Sequence, residues 1–151
     1  MFEVEETIVI DRPVAEVFAF VADQTNAHKW QRGIAEVRRL TTDPIGVGTR
    51  HNVVRKFLGR EISLTNEYVR YDPNQVVTFT AITGPAAMDV SYLTEPVPEG
   101  TKLTCHMTMD QKGFYRVADS LVSRSMKKDF AAALRTLKGM LEGPSHTSTD
   151  R

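Results

Sequence analysis

Histidines, one cysteine, an arginine and a tyrosine are the residues through which this sequence could do chemistry, and their spacing narrows the choice. In the segment ending at Phe57, His51, Val53, Arg55 and Phe57 alternate with Arg50, Asn52, Val54 and Lys56. Alternation puts the two sets on opposite faces of a strand, and the first set is the more apolar. Turned inward, His51 would be an acid or base near neutral pH, and Arg55 would hold a carboxylate or polarise a carbonyl. Turned outward, both are ordinary surface groups, and the alternation leaves the two readings open. Tyr92 alternates with Val90 and Met88, so its hydroxyl would join an otherwise apolar face. Met107 shares a face with Leu103, Cys105 and Met109, where a thioether either adapts to a ligand or fills a gap in the core.

The remaining chemistry is sparse. Cys105 and His106 are strand neighbours, so they point to opposite faces and do not share a metal easily. His28, His51, His106 and His146 are scattered, and no His-Glu-x-x-His, Cys-x-x-Cys or Gly-rich phosphate loop occurs. Neither a metal site nor a cofactor is expected. His51, Arg55 and Tyr92 are the catalytic candidates, if there is catalysis at all.

These residues need elements to position them. Phe2–Ile10 alternates as a half-buried strand. Asp11-Arg12-Pro13 then stops it, with Asp11 as a possible cap and Pro13 suited to a first helical turn. Val14, Val17, Phe18 and Val21 predict a short helix over 13–22, and Asp23–Trp30 predicts a second, shorter one. Six extended segments follow, Ile34–Thr41, Gly48–Phe57, Arg60–Tyr71, Gln75–Ile82, Ala86–Glu95 and Thr101–Asp110. Short Gly- and Pro-bearing breaks separate them, which favours antiparallel hairpins. After Asp110 the apolar period switches from two to 3.6. A stripe from Phe114 through Leu121, Phe130 and Leu134 to Leu141 predicts a helix over about 114–142. The result is an α+β domain, a curved seven-stranded antiparallel sheet around a long C-terminal helix, with two short helices after the first strand. A cavity between sheet and helix is physically plausible. Its candidate lining is Trp30, His51, Val53, Arg55, Phe79, Tyr92, Met107 and Phe130, predominantly apolar and about 300–1,000 Å³ in volume. Trp30 would either touch a ligand or plug one end.

Composition sets the outer bounds. A chain of 151 residues, 41% hydrophobic and 25% charged, suits one soluble domain. That domain is expected over 1–142, with 143–151 as a flexible polar tail. Nineteen basic residues balance 19 acidic ones, which argues against binding nucleic acid by phosphate neutralisation. A single cysteine excludes an intrachain disulfide. No apolar run reaches the roughly 18 residues of a membrane span, and the acidic start lacks a signal-peptide pattern, so a cytoplasmic location is expected. The basic residues of the long helix, Arg116, Arg124, Lys127, Lys128, Arg135 and Lys138, are interleaved with acidic ones and suit a solvated face.

Several stretches resemble a known family. They are Ile8–Phe18, Asn26–Trp30, Gly46–Arg50, Glu67–Pro73 and Glu99–Thr104. Together with the element order they are similar to the START-like, birch-pollen-allergen-like superfamily (SRPBCC), and within it to the polyketide cyclase/dehydrase branch. The resemblance spans about Phe2 to Glu142 and implies the helix-grip fold. It also implies a pocket for a small hydrophobic molecule, lipid-like or polyketide-like, with the hairpin tips Leu58-Gly59 and Gly84-Pro85 at its mouth. A binding protein, monomer or homodimer, is the first expectation. A polyketide cyclase or dehydratase using acid/base groups in the same cavity is the alternative. An interaction module that pairs through a sheet edge is the third.

Overall fold

The structure is a computed structural model that describes residues 2–57, 59–84, 87–110 and 119–143. Strand β1 (Phe2–Ile10) leads into helix α1 (Val14–Ala22), one 3-10 turn (Gln24–Asn26) and the short helix α2 (Ala27–Trp30). Then come β2 (Ile34–Arg39), β3 (Arg50–Phe57), β4 (Arg60–Asp72), β5 (Val76–Thr83), β6 (Ala87–Val97), β7 (Gly100–Asp110) and helix α3 (Asp119–Glu142). All seven strands join one sheet in the order β1-β7-β6-β5-β4-β3-β2. Strands β2 to β7 form a meander: a longer loop over 40–49 joins β2 to β3, and the later breaks are short enough for tight hairpins. Strand β1 returns beside β7, so β1 and β2 lie at opposite edges and the short helices carry the chain between them. Register shifts at Thr65/Asn66 and Tyr68/Arg70 bend β4 and help the sheet curl. The long helix packs against β1.

Burial follows the two periods. Leu64, Asn66 and Tyr68 of β4, Val77 and Phe79 of β5, Val90 and Tyr92 of β6, and Leu103, Cys105 and Met107 of β7 all turn inward. On α3, Met126, Phe130, Ala133, Leu134, Leu137 and Leu141 are buried at helical spacing. Phe114 and the start of the helix expected at 114 lie outside the described residues, as do the tail from 144 and the tips at Leu58 and 85–86. The side chain of Leu121 is likewise outside them.

Two local expectations are corrected. Asp11 does not cap α1: Pro13 occupies the N-cap position with extended backbone (ψ 149°), and no side chain bonds the first turn. The Asp11 backbone N–H instead donates to Glu142 Oε2 at 2.6 Å, tying the end of α3 to the β1–α1 turn. That bond, followed by Lys138 beside it, holds the Glu142 carboxyl below the usual carboxylate range. Strand β6 also continues through Pro96 to Val97, where a break was expected. Pro96 lies opposite Thr101, one pair from the hairpin end, so its missing N–H costs the ladder little. Across the turn, Gly100 has φ +136°, and a Cβ there would sit 2.2 Å from the Ile10 carbonyl oxygen. Only glycine allows β7 to begin that close to β1.

Candidate functional site

The inner faces of β3, β4, β5 and β6 meet the loop after α2 around a small cavity of ≈ 20 Å³. It has room for about one ordered water. This is far below the expected ligand-sized volume. A run of aromatic rings passes beside it through the interior. Tyr68 packs edge-on to Phe79 at 4.6 Å, Phe79 edge-on to Tyr92 at 5.5 Å, and Tyr92 lies 5.7 Å from the Trp30 ring. Apolar walls come from Val53, Leu64, Phe79, Met88 and Val90, with Ile34 and Ala81 beside them. Polar groups come from Gln24, Gln31, Arg55, Asn66 and Tyr92, so the lining is mixed where a predominantly apolar one was expected.

The strand carrying His51, Val53 and Arg55 turns that set inward, which decides between the two faces left open by its alternation. Four of the eight expected lining residues, Val53, Arg55, Phe79 and Tyr92, border the cavity. The other four are buried but do not line it. Met107 is fully enclosed in the core, and Phe130 packs from α3 into the same core. Trp30, 2% exposed, backs the wall behind Tyr92. His51 lies beyond Val53, stacked on the Tyr68 ring at 5.5 Å.

Gln31 connects the polar wall. Its Nε2 donates to the Tyr92 hydroxyl at 3.0 Å, and its Oε1 accepts from Arg55 Nη2 at 3.5 Å. Arg55 is half-buried and, among the described residues, makes no ion pair with a carboxylate. Burial lowers its pKa from the ordinary value, opposed first by Tyr92, then by Cys105 and Asp129. It remains a cation at any physiological pH. Burial pushes the Tyr92 phenol far upward, with Cys105 adding to the shift and Arg55 opposing it. The phenol is therefore a neutral hydrogen-bonding group. The Cys105 thiol is pushed up to about 12, chiefly by burial, and is inert. His106, on the opposite face of β7, pairs with Glu3 at the surface.

His51 was the acid/base candidate, and its environment does not suit that role. Its ring is fully buried, and desolvation lowers its pKa to about 4. Asp23 opposes that shift and Arg39 adds to it. The imidazole is thus neutral at pH 7, a weak base and no acid, and it lies off the cavity lining.

Sequence reasoning passed over Gln24, Gln31 and Asn66. Asn66 was accessible from the period-2 rule, since it lies between the inward Leu64 and Tyr68. The glutamines flank α2, where no periodicity signals direction. Among the described residues no group of three or more His, Cys, Asp or Glu side chains could hold a metal ion, and no helix is long and apolar enough to cross a membrane.

Comparison with known proteins agrees with this architecture. Residues 1–142 match the profile of the family described as polyketide cyclase / dehydrase and lipid transport. No curated protein matches the chain. Among solved structures, TTHA0849 from Thermus thermophilus is similar at 18% identity, over 91% of this chain and 94% of its own, with a TM-score of 0.79. The Zhui aromatase/cyclase from a Streptomyces species is similar at 16% identity, over 93% of each chain, with a TM-score of 0.75. Ara h 8.0201 is similar at 19% identity, over 91% of this chain and 95% of its own, with a TM-score of 0.67. At such identities the likeness is one of fold, and the fold is the helix grip.

Proposed function

Because the chain belongs to the polyketide cyclase/dehydrase and lipid-transport family, we propose that it binds a small lipid-like or polyketide-like molecule in this cavity, as a carrier or sensor. Arg55 holds a carbonyl or carboxylate oxygen of that ligand. The observation that carries the reading is the Arg55 guanidinium itself, half-buried at the mixed cavity lining with Gln31 as its only hydrogen-bond partner among the described residues. A partly buried guanidinium with no carboxylate partner keeps donors available for a ligand oxygen. Gln31 orients it and links it to Tyr92, while Val53, Leu64 and Phe79 keep water from screening it. Entry requires the cavity to widen. Met88, half-buried and unbranched, is the wall residue best able to yield.

A cyclase or dehydratase is the second reading. The same Arg55–Gln31–Tyr92 wall favours it, because a guanidinium polarises a ketone and a bent chain held there is positioned for ring closure. The lining of the described cavity offers one cation and one phenol, and no group that titrates near neutral pH. Binding is therefore the better supported reading.

Titration with anilinonaphthalene sulfonate tests it, the sulfonate standing in for a ligand carboxylate. Arg55→Met should weaken binding about tenfold, the worth of one charge-assisted hydrogen bond. Arg55→Lys should weaken it less. Unchanged affinity in both variants would overturn the role of Arg55. Turnover of a poly-β-ketone by the wild type, lost in Arg55→Met, would move the enzyme reading ahead.

A further inference from the structure

Two carboxamides in the cavity wall have no part in the binding just described. Gln24 is 7% exposed and Asn66 is 6% exposed, and both face the cavity that Arg55 and Tyr92 border. Gln24 Oε1 and Asn66 Oδ1 are fully buried with no hydrogen-bond partner among the described residues. Their positions are fixed by backbone. The Gln24 N–H donates to the Tyr68 hydroxyl at 3.2 Å, and that hydroxyl in turn donates to the Ala22 carbonyl. Asn66 is held in register between His51 of β3 and Ala81 of β5, at a bulge. The backbone at both positions is thus held, by the turn after α1 and by the sheet.

Leaving a buried polar atom unpaired is costly, because the hydrogen bond it gave up to water is not replaced. Two such residues lining one cavity point to a polar group held there. An amide offers an acceptor and two donors, and exchanging its ends costs little when neither is bonded. The pair is matched by a group that both donates and accepts through one small atom, which is an O–H. A purely apolar chain would leave both amides unsatisfied and be rejected. An ordered water supplies the same chemistry, and the cavity is large enough for about one.

We infer that Gln24 and Asn66 form a hydroxyl-reading subsite, so that the molecule held at Arg55 carries an alcohol or phenol O–H at its other polar point. This rests on the proposed binding function. The ligand is then polar at two separated points and apolar between them, and its hydroxyl displaces water from the amide pair.

An isosteric pair of probes tests the inference: 2-naphthol, which carries the O–H, and 2-methylnaphthalene, which does not. Affinities are measured by calorimetry for the wild type, Gln24→Leu and Asn66→Leu, with circular dichroism melts to establish that each is folded. The wild type should prefer 2-naphthol at least about tenfold, and each leucine variant should bring the ratio towards one. If Asn66→Leu fails to fold, Gln24→Leu and Gln24→Met carry the test. Equal affinities in the wild type would overturn the inference. So would an undiminished preference in the folded variants, which would leave the amides to an ordered water. If neither naphthalene binds but anilinonaphthalene sulfonate does, the hydroxyl subsite falls and the Arg55 reading stands. If nothing binds, the reading beneath it falls as well.

Discussion

Arg55 and His51 share the inward face of β3, and their neighbours give them opposite roles. Arg55 reaches the cavity and keeps its charge. His51, between Arg39 on β2 and Asn66 on β4 and under the Tyr68 ring, is held neutral. Folding thereby suppresses proton binding: the unfolded chain protonates this ring near pH 6.5, the folded chain only near 4. Stability from the neutral ring is complete above pH 6.5 and falls as pH drops through that window. The loss is on the order of 2 kcal/mol once solvent screening is allowed for. Urea melts between pH 7.5 and 4.5 check this by comparing the wild type with His51→Leu. The difference between the two proteins should change across the window in the variant's favour as pH falls, whereas parallel curves would refute the neutral buried ring. All other ionisable groups are common to both proteins and cancel in the difference. Sequence alternation told which residues share the face with His51. It could not tell that burial would take its proton, because desolvation depends on residues from β2 and β4 brought alongside.

The same division holds for whole elements. Strand and helix periods were legible because each element buries one face, so the inward side of β6 and β7 and the α3 stripe follow from spacing alone, whereas the two near-equal faces of β3 left its side open. Ends and linings were less so. Pro96 stays in its strand because of where the hairpin closes, and Asp11 leaves α1 uncapped because Pro13, two residues on, takes the N-cap position. Phe130 shows the limit well: its place on the buried face of α3 was legible, but whether it met cavity or core was not. It packs into the core. Phe130→Ala should therefore cost about 3 kcal/mol in chemical denaturation and leave dye affinity unchanged. A small loss of stability with altered dye binding would put it in the pocket wall instead. At the β6–β7 turn, Gly100→Ala forces a Cβ onto the Ile10 carbonyl at a positive φ. It should destabilise by at least about 2 kcal/mol, and a neutral melt would contradict the close approach of β7 to β1.

At the scale of the whole molecule, a sheet curled around one helix encloses more space than a flat pair of layers, and here Tyr68, Phe79, Tyr92 and Trp30 pack in series through the interior. The cavity bordered by described residues is ≈ 20 Å³, whereas ligand sites usually need about 300–1,000 Å³. Binding in this cavity must therefore displace side chains, with Met88 the first to move and Arg55 the fixed anchor. No sequence pattern reports such a volume, since it depends on how Tyr68, Phe79 and Tyr92 interlock across β4, β5 and β6. Methyl NMR of methionine-labelled protein, titrated with anilinonaphthalene sulfonate, tests the claim directly. The Met88 signal should shift saturably with dye, and in Arg55→Met the same shift should need about tenfold more dye. Met126 and Met140, on α3 away from the lining, should shift little. Dye saturation with Met88 unmoved, or with the largest shifts on α3, would place binding elsewhere and contradict the account.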